Sequence, residues 1–129
     1  MNSHSEVISQ LKNSLINKGT VLEDPIIEVA FNLKNYKPDL LFENLNSHTK
    51  VIIEVKKNMN NANISYGTIS FLVDFKNFLD NNTDYKFVVI FTNELSPNMS
   101  KLIYGRVTYY SLKENSIEEI ADIIHKMTI

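Results

Sequence analysis

The chain has 129 residues, 43% hydrophobic and 22% charged, which is typical of a soluble folded protein and predicts a single domain over residues 1–129. It contains no cysteine, which excludes disulfide bridges and thiolate metal sites and favours a reducing, cytoplasmic location. No apolar run approaches the length of a membrane span, so no membrane association is expected, and the net charge of −2 does not by itself indicate nucleic-acid binding.

The first predicted elements are a helix and a strand. The segment from Ser3 to about Lys18 carries apolar residues at helical spacing, and Gly19 is suited to the end of that helix. Ser3, with an acidic residue three positions later, has the pattern of a capping box. Residues 25–31 are mostly apolar and β-branched, and they predict a strand with Glu28 at its centre.

Two short apolar runs, at residues 37–42 and 51–57, carry charges where a buried strand would normally have none. The segment between them is rich in turn formers, so the two runs predict a β-hairpin. If the hairpin folds about the middle of that segment, Asp39 lies across from Glu54, and Lys56 shares a strand face with Glu54. Because an unpaired buried charge is unfavourable, we expect the two carboxylates and the ammonium group to gather at one place.

The remaining elements alternate between helix and strand. A polar, asparagine-rich break precedes a helix whose buried stripe runs from Ile64 to Leu79. Residues 85–91 predict a central strand, suited to lying parallel to a neighbour. A short helix from Ser96 to Gly105, a strand at residues 106–110 and a C-terminal helix from Ser116 follow. The order αβββαβαβα predicts an α/β fold with a mixed central sheet and helices on both faces.

The Pro38-Asp39 pair, followed by Glu54-Val55-Lys56, resembles the motif of the PD-(D/E)XK phosphodiesterase superfamily. The order of elements is similar over nearly the whole chain, and the local sequence and size resemble type I restriction subunit nuclease domains and small Holliday-junction resolvases. The resemblance implies a restriction-endonuclease-like three-layer α/β/α fold. It also implies a Mg²⁺-dependent endonuclease that acts on DNA in a defence, repair or mobile-element system. The chain departs from many relatives in having no glutamine early in the helix that follows the motif.

The resemblance implies a role for each residue of the motif. Asp39, Glu54 and the backbone carbonyl of Val55 would hold Mg²⁺, for which Mn²⁺ can substitute. Lys56 would orient the attacking water and stabilise the developing negative charge. Without the resemblance, the same charges would suit a cross-strand ion pair on a partly solvated sheet. The position of Glu54 inside an apolar run favours the catalytic interpretation.

Members of the superfamily usually carry one more acidic residue upstream, and this sequence offers two candidates. Glu28 lies in the middle of a predicted strand and can share a face with Asp39, and we favour it as a catalytic residue. Glu6 lies on the first helix, where the family often places this acid, but it also completes the cap with Ser3. His4 would matter only in a cap-snatching type of endonuclease, which places a histidine on its first helix.

The predicted partner is nucleic acid, with DNA preferred over RNA. The region around the hairpin is locally basic, and Lys37, Lys50, Lys57 and Tyr66 are the candidate contacts with DNA. Because the chain has little room for a separate sequence-reading element, we expect it to act as a homodimer or as a subunit of a larger complex. The alternative is a catalytically inactive nuclease-fold module that binds nucleic acid or protein, which the pI of about 5.9 favours.

Overall fold

The computed structural model describes residues 3–23, 38–57, 62–80 and 84–129, without the side chains of residues 62–66. Within these ranges the elements follow the predicted order αβββαβαβα. The helices are α1 (His4–Leu15), α2 (Ala62–Leu79), α3 (Pro97–Ile103) and α4 (Ile117–Lys126), and the strands are β1 (Thr20–Glu23), β2 (Leu40–Glu43), β3 (Lys50–Lys56), β4 (Tyr85–Phe91) and β5 (Tyr109–Ser111).

Two strands differ from the prediction. β1, at Thr20–Glu23, was not predicted. The strand predicted at residues 25–31 lies outside the described residues and stays a prediction. The last strand begins at Tyr109 rather than at Arg106. The reason is that the backbone N–H groups of Arg106 and Val107 both donate to the carbonyl of Ile103, which keeps these residues in the turn after α3.

The described strands form one sheet in the order β1-β2-β3-β4-β5. β1, β2 and β3 are antiparallel neighbours, whereas β4 lies parallel to both β3 and β5. Helices α2 and α3 make the connections between the parallel strands, which cannot be joined by a tight turn. The sheet is therefore mixed, as predicted.

Alternate residues of the inner strands pack against two helical layers. On β3, Ile53 and Val55 lie in a core shared with α1 and α4, whereas Ile52 lies in a core shared with α2 and α3. The alternation of side chains along a strand places Glu54 on the same face as Ile52. The architecture is thus the predicted three-layer α/β/α arrangement. None of the described helices combines the length and apolar character needed to cross a membrane.

Helix α1 and strand β1 form a unit that lies along the hairpin. Ser3 caps the helix by accepting a hydrogen bond from the backbone N–H of Glu6 at 3.2 Å. After the helix, β1 returns along β2, starting opposite Glu43 and ending with Glu23 opposite Leu40. The start of α1 and the end of β1 are therefore both placed near the Leu40 end of β2.

Gly19 lies in the turn between α1 and β1, against the backbone of β2. A Cβ atom here would collide with the carbonyl oxygen of Glu43 and would lie 3.0 Å from the ring of Phe42. We expect Gly19→Ala to lower the free energy of unfolding by about 1–3 kcal/mol, because the turn must move away from β2.

Gly67 provides the matched control, since a Cβ atom at this position in α2 meets nothing within 4 Å. Gly67→Ala should raise the free energy of unfolding by about 0.5–1 kcal/mol, because alanine favours a helix more than glycine does. Urea denaturation of the wild type and the two variants measures both effects. Equal stability of Gly19→Ala and the wild type would contradict the packing of this turn.

Candidate functional site

The hairpin formed by β2 and β3 has the register that the sequence predicted. Leu40 pairs with Ile53, so one further step along the strands places Asp39 across from Glu54. Asp39 lies in a bend directly after the buried Pro38. The two acidic residues are therefore at the open end of the hairpin, away from its turn.

Asp39 and Glu54 each bind the backbone of the opposite strand. Glu54 Oε1 accepts a hydrogen bond from the backbone N–H of Asp39 at 3.1 Å. In return, Asp39 Oδ2 accepts one from the backbone N–H of Val55 at 2.7 Å. Hydrogen bonds to a charged carboxylate are stronger than those between neutral groups. The two bonds hold the strand ends together and orient both carboxylates.

Glu54 is buried, with only 5% of its surface exposed, and it also contacts Lys56. Lys56 Nζ lies 3.3 Å from Glu54 Oε2, and the lysine side chain is 30% exposed. A buried carboxylate is stable only when charges or hydrogen bonds compensate it, and the ammonium group and the Asp39 N–H both do so. The structure therefore brings together Asp39, Glu54 and Lys56, which we call the triad.

His4, the first residue of α1, is next to the triad, although the sequence offered little reason to expect it there. Its Nε2 atom lies 2.8 Å from the carbonyl oxygen of Val55 and 3.4 Å from Asp39 Oδ2. Because a carbonyl oxygen can only accept, Nε2 carries the proton in this contact. The histidines show no ligand spacing in the sequence. Only the placement of α1 across the sheet brings His4 to the hairpin.

The upstream acidic residues occupy different surroundings. Glu28 lies outside the described residues, so its role stays a prediction. Glu6 is exposed, and its Oε1 atom accepts a hydrogen bond from the hydroxyl of Ser3 at 3.0 Å, which agrees with a capping role.

Glu23 is an acidic residue near the triad that the sequence did not suggest. It ends β1, and together with Asp39 it lines a cavity of about 210 Å³ beside the first two turns of α1. Its Oε1 atom lies 3.3 Å from Lys12 Nζ, and its side chain is 46% exposed. The pairing of β1 with β2 places it there, and this pairing was not predicted.

The candidate DNA contacts do not form one cluster among the described residues. Lys50 lies at the other end of β3, about 13 Å from Glu54 and about 20 Å from Lys56 at the rise of an extended strand. Its Nζ atom is 3.7 Å from Glu43 Oε1. Lys57 is exposed beside the triad. Lys37 and the side chain of Tyr66 lie outside the described residues.

The oxygen atoms at the open end of the hairpin are the ones that could hold a hard divalent cation. Asp39 Oδ2 and the Val55 carbonyl oxygen lie 3.4 and 2.8 Å from His4 Nε2, so the imidazole lies at the point that the two oxygens share. Within the described ranges, no group of three or more histidine, aspartate or glutamate side chains is arranged to hold a metal ion. Mg²⁺ commonly binds through one or two carboxylates and retains several waters, so Asp39 and Glu54 are the side chains here that could hold it.

No protein-family model matches the chain, and comparison with curated proteins also finds no match. Among solved structures, the chain is similar to the small subunit of the heterodimeric restriction endonuclease R.BspD6I. The TM-score is 0.51 and the sequence identity is 7%, over 95% of this chain and 66% of that subunit. The chain therefore spans just under two thirds of that subunit's length. At this identity, the similarity establishes a restriction-endonuclease-like α/β fold and nothing finer.

Proposed function

We propose that the chain is a Mg²⁺-dependent endonuclease that hydrolyses phosphodiester bonds in DNA. The observation that carries this proposal is the position of the Glu54 carboxylate at the open end of a hairpin, in contact with the Lys56 ammonium group and the Asp39 backbone N–H, within a restriction-endonuclease-like fold. An exposed ion pair contributes little to stability and needs no buried carboxylate. The burial of Glu54 beside a partly exposed lysine favours a catalytic role over a structural one.

Asp39 and Glu54 would hold the metal ion, with the carbonyl oxygen of Val55 as a further ligand. A bound Mg²⁺ would supply neutralising charge at the phosphate and a water of lowered pKa. The backbone N–H groups of Val55 and Asp39 orient the two carboxylates, so these need little rearrangement when substrate arrives. The rigid hairpin thus supplies a preorganised set of oxygen atoms.

Lys56 would act on the substrate side of the site. Its ammonium group has three N–H donors, and the contact with Glu54 leaves donors for other acceptors. These donors can orient an attacking water and bind a non-bridging oxygen of the scissile phosphate, where negative charge develops. The partial exposure of the side chain keeps this group accessible from solvent.

Cleavage of plasmid, single-stranded and branched DNA in Mg²⁺, Mn²⁺ or EDTA tests the proposal. We expect cleavage only with a divalent ion, and its loss in Asp39→Ala and in Lys56→Ala. A single-stranded RNA of matching sequence distinguishes DNA from RNA as the substrate. Cleavage that survives both substitutions would come from another site or from a contaminant, and the proposal would then be wrong.

His4→Ala is expected to weaken Mn²⁺ binding by about 10-fold, because His4 orients the Val55 carbonyl and is close to Asp39 Oδ2. The affinity for Mg²⁺ should fall by a similar factor, since a residue that orients a ligand oxygen acts on either ion. Titration with Mn²⁺ followed by electron paramagnetic resonance, with Mg²⁺ as competitor, measures both affinities.

His48→Ala serves as the matched control, since His48 is exposed in the turn of the same hairpin and should leave both affinities unchanged. Equal Mn²⁺ affinity in His4→Ala and His48→Ala would show that His4 does not act on the metal site.

A further proposal concerns assembly. The similar solved structure is one subunit of a heterodimeric enzyme, and this chain spans less than its full length. We therefore propose that the chain acts as a homodimer or with a partner subunit that contributes DNA specificity.

The second candidate function is a non-catalytic module that binds nucleic acid or protein. It is favoured by the contact between His4 Nε2 and the Val55 carbonyl oxygen, because one of the two acceptor positions of an oxygen that the nuclease proposal assigns to the metal is already used. This alternative predicts DNA binding without cleavage in any divalent ion.

A further inference from the structure

The segment from Leu95 to Lys113 contains three basic residues and no acidic residue, in a chain whose net charge is −2. Two of the three lie close together in sequence, Lys101 in the last turn of α3 and Arg106 in the turn that follows. Arg106 is the only arginine of the chain. Both residues are exposed, with Tyr104 between them, and we call the surface formed by residues 101–106 the basic turn.

The two cations of the basic turn differ from most other basic side chains in their surroundings. Among the described residues, five of the nine other lysines lie within 3.7 Å of a carboxylate, namely Lys12, Lys18, Lys50, Lys56 and Lys76, whereas Lys57, Lys86, Lys113 and Lys126 do not. In the part of the chain that the structure describes, neither Lys101 nor Arg106 forms an ion pair. Their charges are therefore available to an anionic ligand.

The backbone of the basic turn is anchored on both sides. Ile103 is fully buried and Val107 is 5% exposed, whereas Tyr104 between them is 78% exposed. The N–H groups of Arg106 and Val107 donate to the Ile103 carbonyl at 3.0 and 3.3 Å. Gly105 has a φ of 76°, which glycine adopts without strain. The turn thus presents an aromatic ring and a guanidinium group from a fixed backbone.

An exposed aromatic ring within three residues of two exposed cations matches the chemistry of a single nucleic-acid strand. Phosphates pair with lysine and arginine, and unpaired bases stack on the ring of a tyrosine. In a duplex the faces of the bases are already covered by their neighbours. An acidic peptide would satisfy the two cations, but it offers no regular series of planar groups to the ring.

We propose that the basic turn binds single-stranded nucleic acid through stacking on Tyr104 and phosphate contacts with Lys101 and Arg106. This inference rests on the proposed function for the class of partner, but not on catalysis by the triad. It assigns the chain a substrate surface on α3 and the turn after it, in addition to the hairpin.

Fluorescence anisotropy with a labelled single-stranded oligonucleotide and a duplex of equal length, both in EDTA, tests the inference without cleavage. Tyr104→Ala should weaken binding of the single strand by about 5-fold to 100-fold, and Tyr104→Phe should restore most of the affinity because the ring still stacks. A plot of log affinity against log salt concentration has a negative slope, and Lys101→Ala and Arg106→Ala should each make that slope shallower by about 0.7.

Two control variants match the exposure of the substituted residues. Lys126→Ala removes an exposed lysine from α4, and Leu45→Ala truncates a side chain that is 79% exposed. Neither should change the affinity by more than about two-fold, since exposed contacts outside the binding surface contribute little. Because all the substituted side chains are exposed, the variants are expected to fold.

Three results would overturn the inference. The wild type does not bind the single strand, or Tyr104→Ala and Arg106→Ala bind it as tightly as the wild type does. The third is that Tyr104→Ala weakens binding of the duplex as much as binding of the single strand. The variant Asp39→Ala distinguishes a failure of this inference from a failure of the proposed nuclease function. Binding that depends on Tyr104 supports the basic turn even if the wild type cleaves no substrate. Cleavage that requires Asp39, without any effect of the basic turn on binding, supports the nuclease and overturns this inference.

Discussion

Lys56→Met is expected to slow metal-dependent DNA cleavage by about 100-fold or more, while the affinity for the metal ion changes by less than about three-fold. The substitution keeps the length of the side chain but removes the ammonium group that lies 3.3 Å from Glu54 Oε2. Loss of a fixed group that stabilises charge in a transition state typically reduces turnover by this amount. Single-turnover cleavage of supercoiled plasmid at saturating Mg²⁺ measures the effect, and calorimetric titration measures the ion affinity.

The neighbouring Lys57 offers a control with the same chemistry. It is exposed directly after β3, so Lys57→Met removes an equal charge from nearly the same place in the sequence. We expect its cleavage rate to stay within about three-fold of the wild type, since an exposed lysine contributes only a phosphate contact. If both variants cut at the same rate, Lys56 has no special role and the assignment of the triad is wrong.

Glu54→Ala is expected to abolish cleavage and to lower the free energy of unfolding by about 1–3 kcal/mol. The substitution removes the acceptor of the Asp39 N–H and the partner of Lys56, and it leaves a gap beside the buried end of β3. Glu54→Gln keeps an oxygen that can accept from the Asp39 N–H, so it should lower the free energy of unfolding less than Glu54→Ala does. It should abolish cleavage just as Glu54→Ala does. Chemical denaturation and plasmid cleavage of both variants distinguish the two effects.

Glu43→Ala is the control in the same hairpin, because Glu43 is half-buried and pairs with Lys50 at the opposite end. It should change the free energy of unfolding by less than about 1 kcal/mol, as partly exposed ion pairs do. Wild-type cleavage by Glu54→Gln would contradict the proposal that the Glu54 carboxylate holds a metal ion.

The hairpin could be predicted from the sequence because its register depends on local features. The turn formers between the two apolar runs fix the fold point, and the alternation of side chains then determines which residues face one another. The pairing of Leu40 with Ile53 confirms this register and hence the proximity of Asp39 to Glu54.

His4 and Glu23 could not be placed from the sequence because their positions depend on tertiary packing. His4 reaches Val55 only because α1 packs against the sheet with its first turn at the open end of the hairpin. Glu23 belongs to a short strand that is mostly exposed, so it has no buried apolar pattern by which to recognise it. β1 is a strand because it pairs with β2, and not because of its own composition.

The end of α3 shows how a local pattern can be read wrongly. The β-branched and aromatic residues after Gly105 predicted a strand from Arg106, but the hydrogen bonds to Ile103 extend the turn as far as Val107. The error matters for function, because Arg106 in a strand would pair with β4, whereas Arg106 in the turn is exposed.

The binding of Mn²⁺ to the wild type and to Asp39→Asn, followed by electron paramagnetic resonance, tests the central claim most directly. Asparagine keeps the shape of the side chain and an oxygen for the Val55 N–H, but it removes the charge that a divalent ion requires. We predict that the wild type binds at least one ion per chain and that Asp39→Asn lowers this affinity by about 10-fold or more. Equal affinity in the two proteins would contradict a metal site at the end of the hairpin.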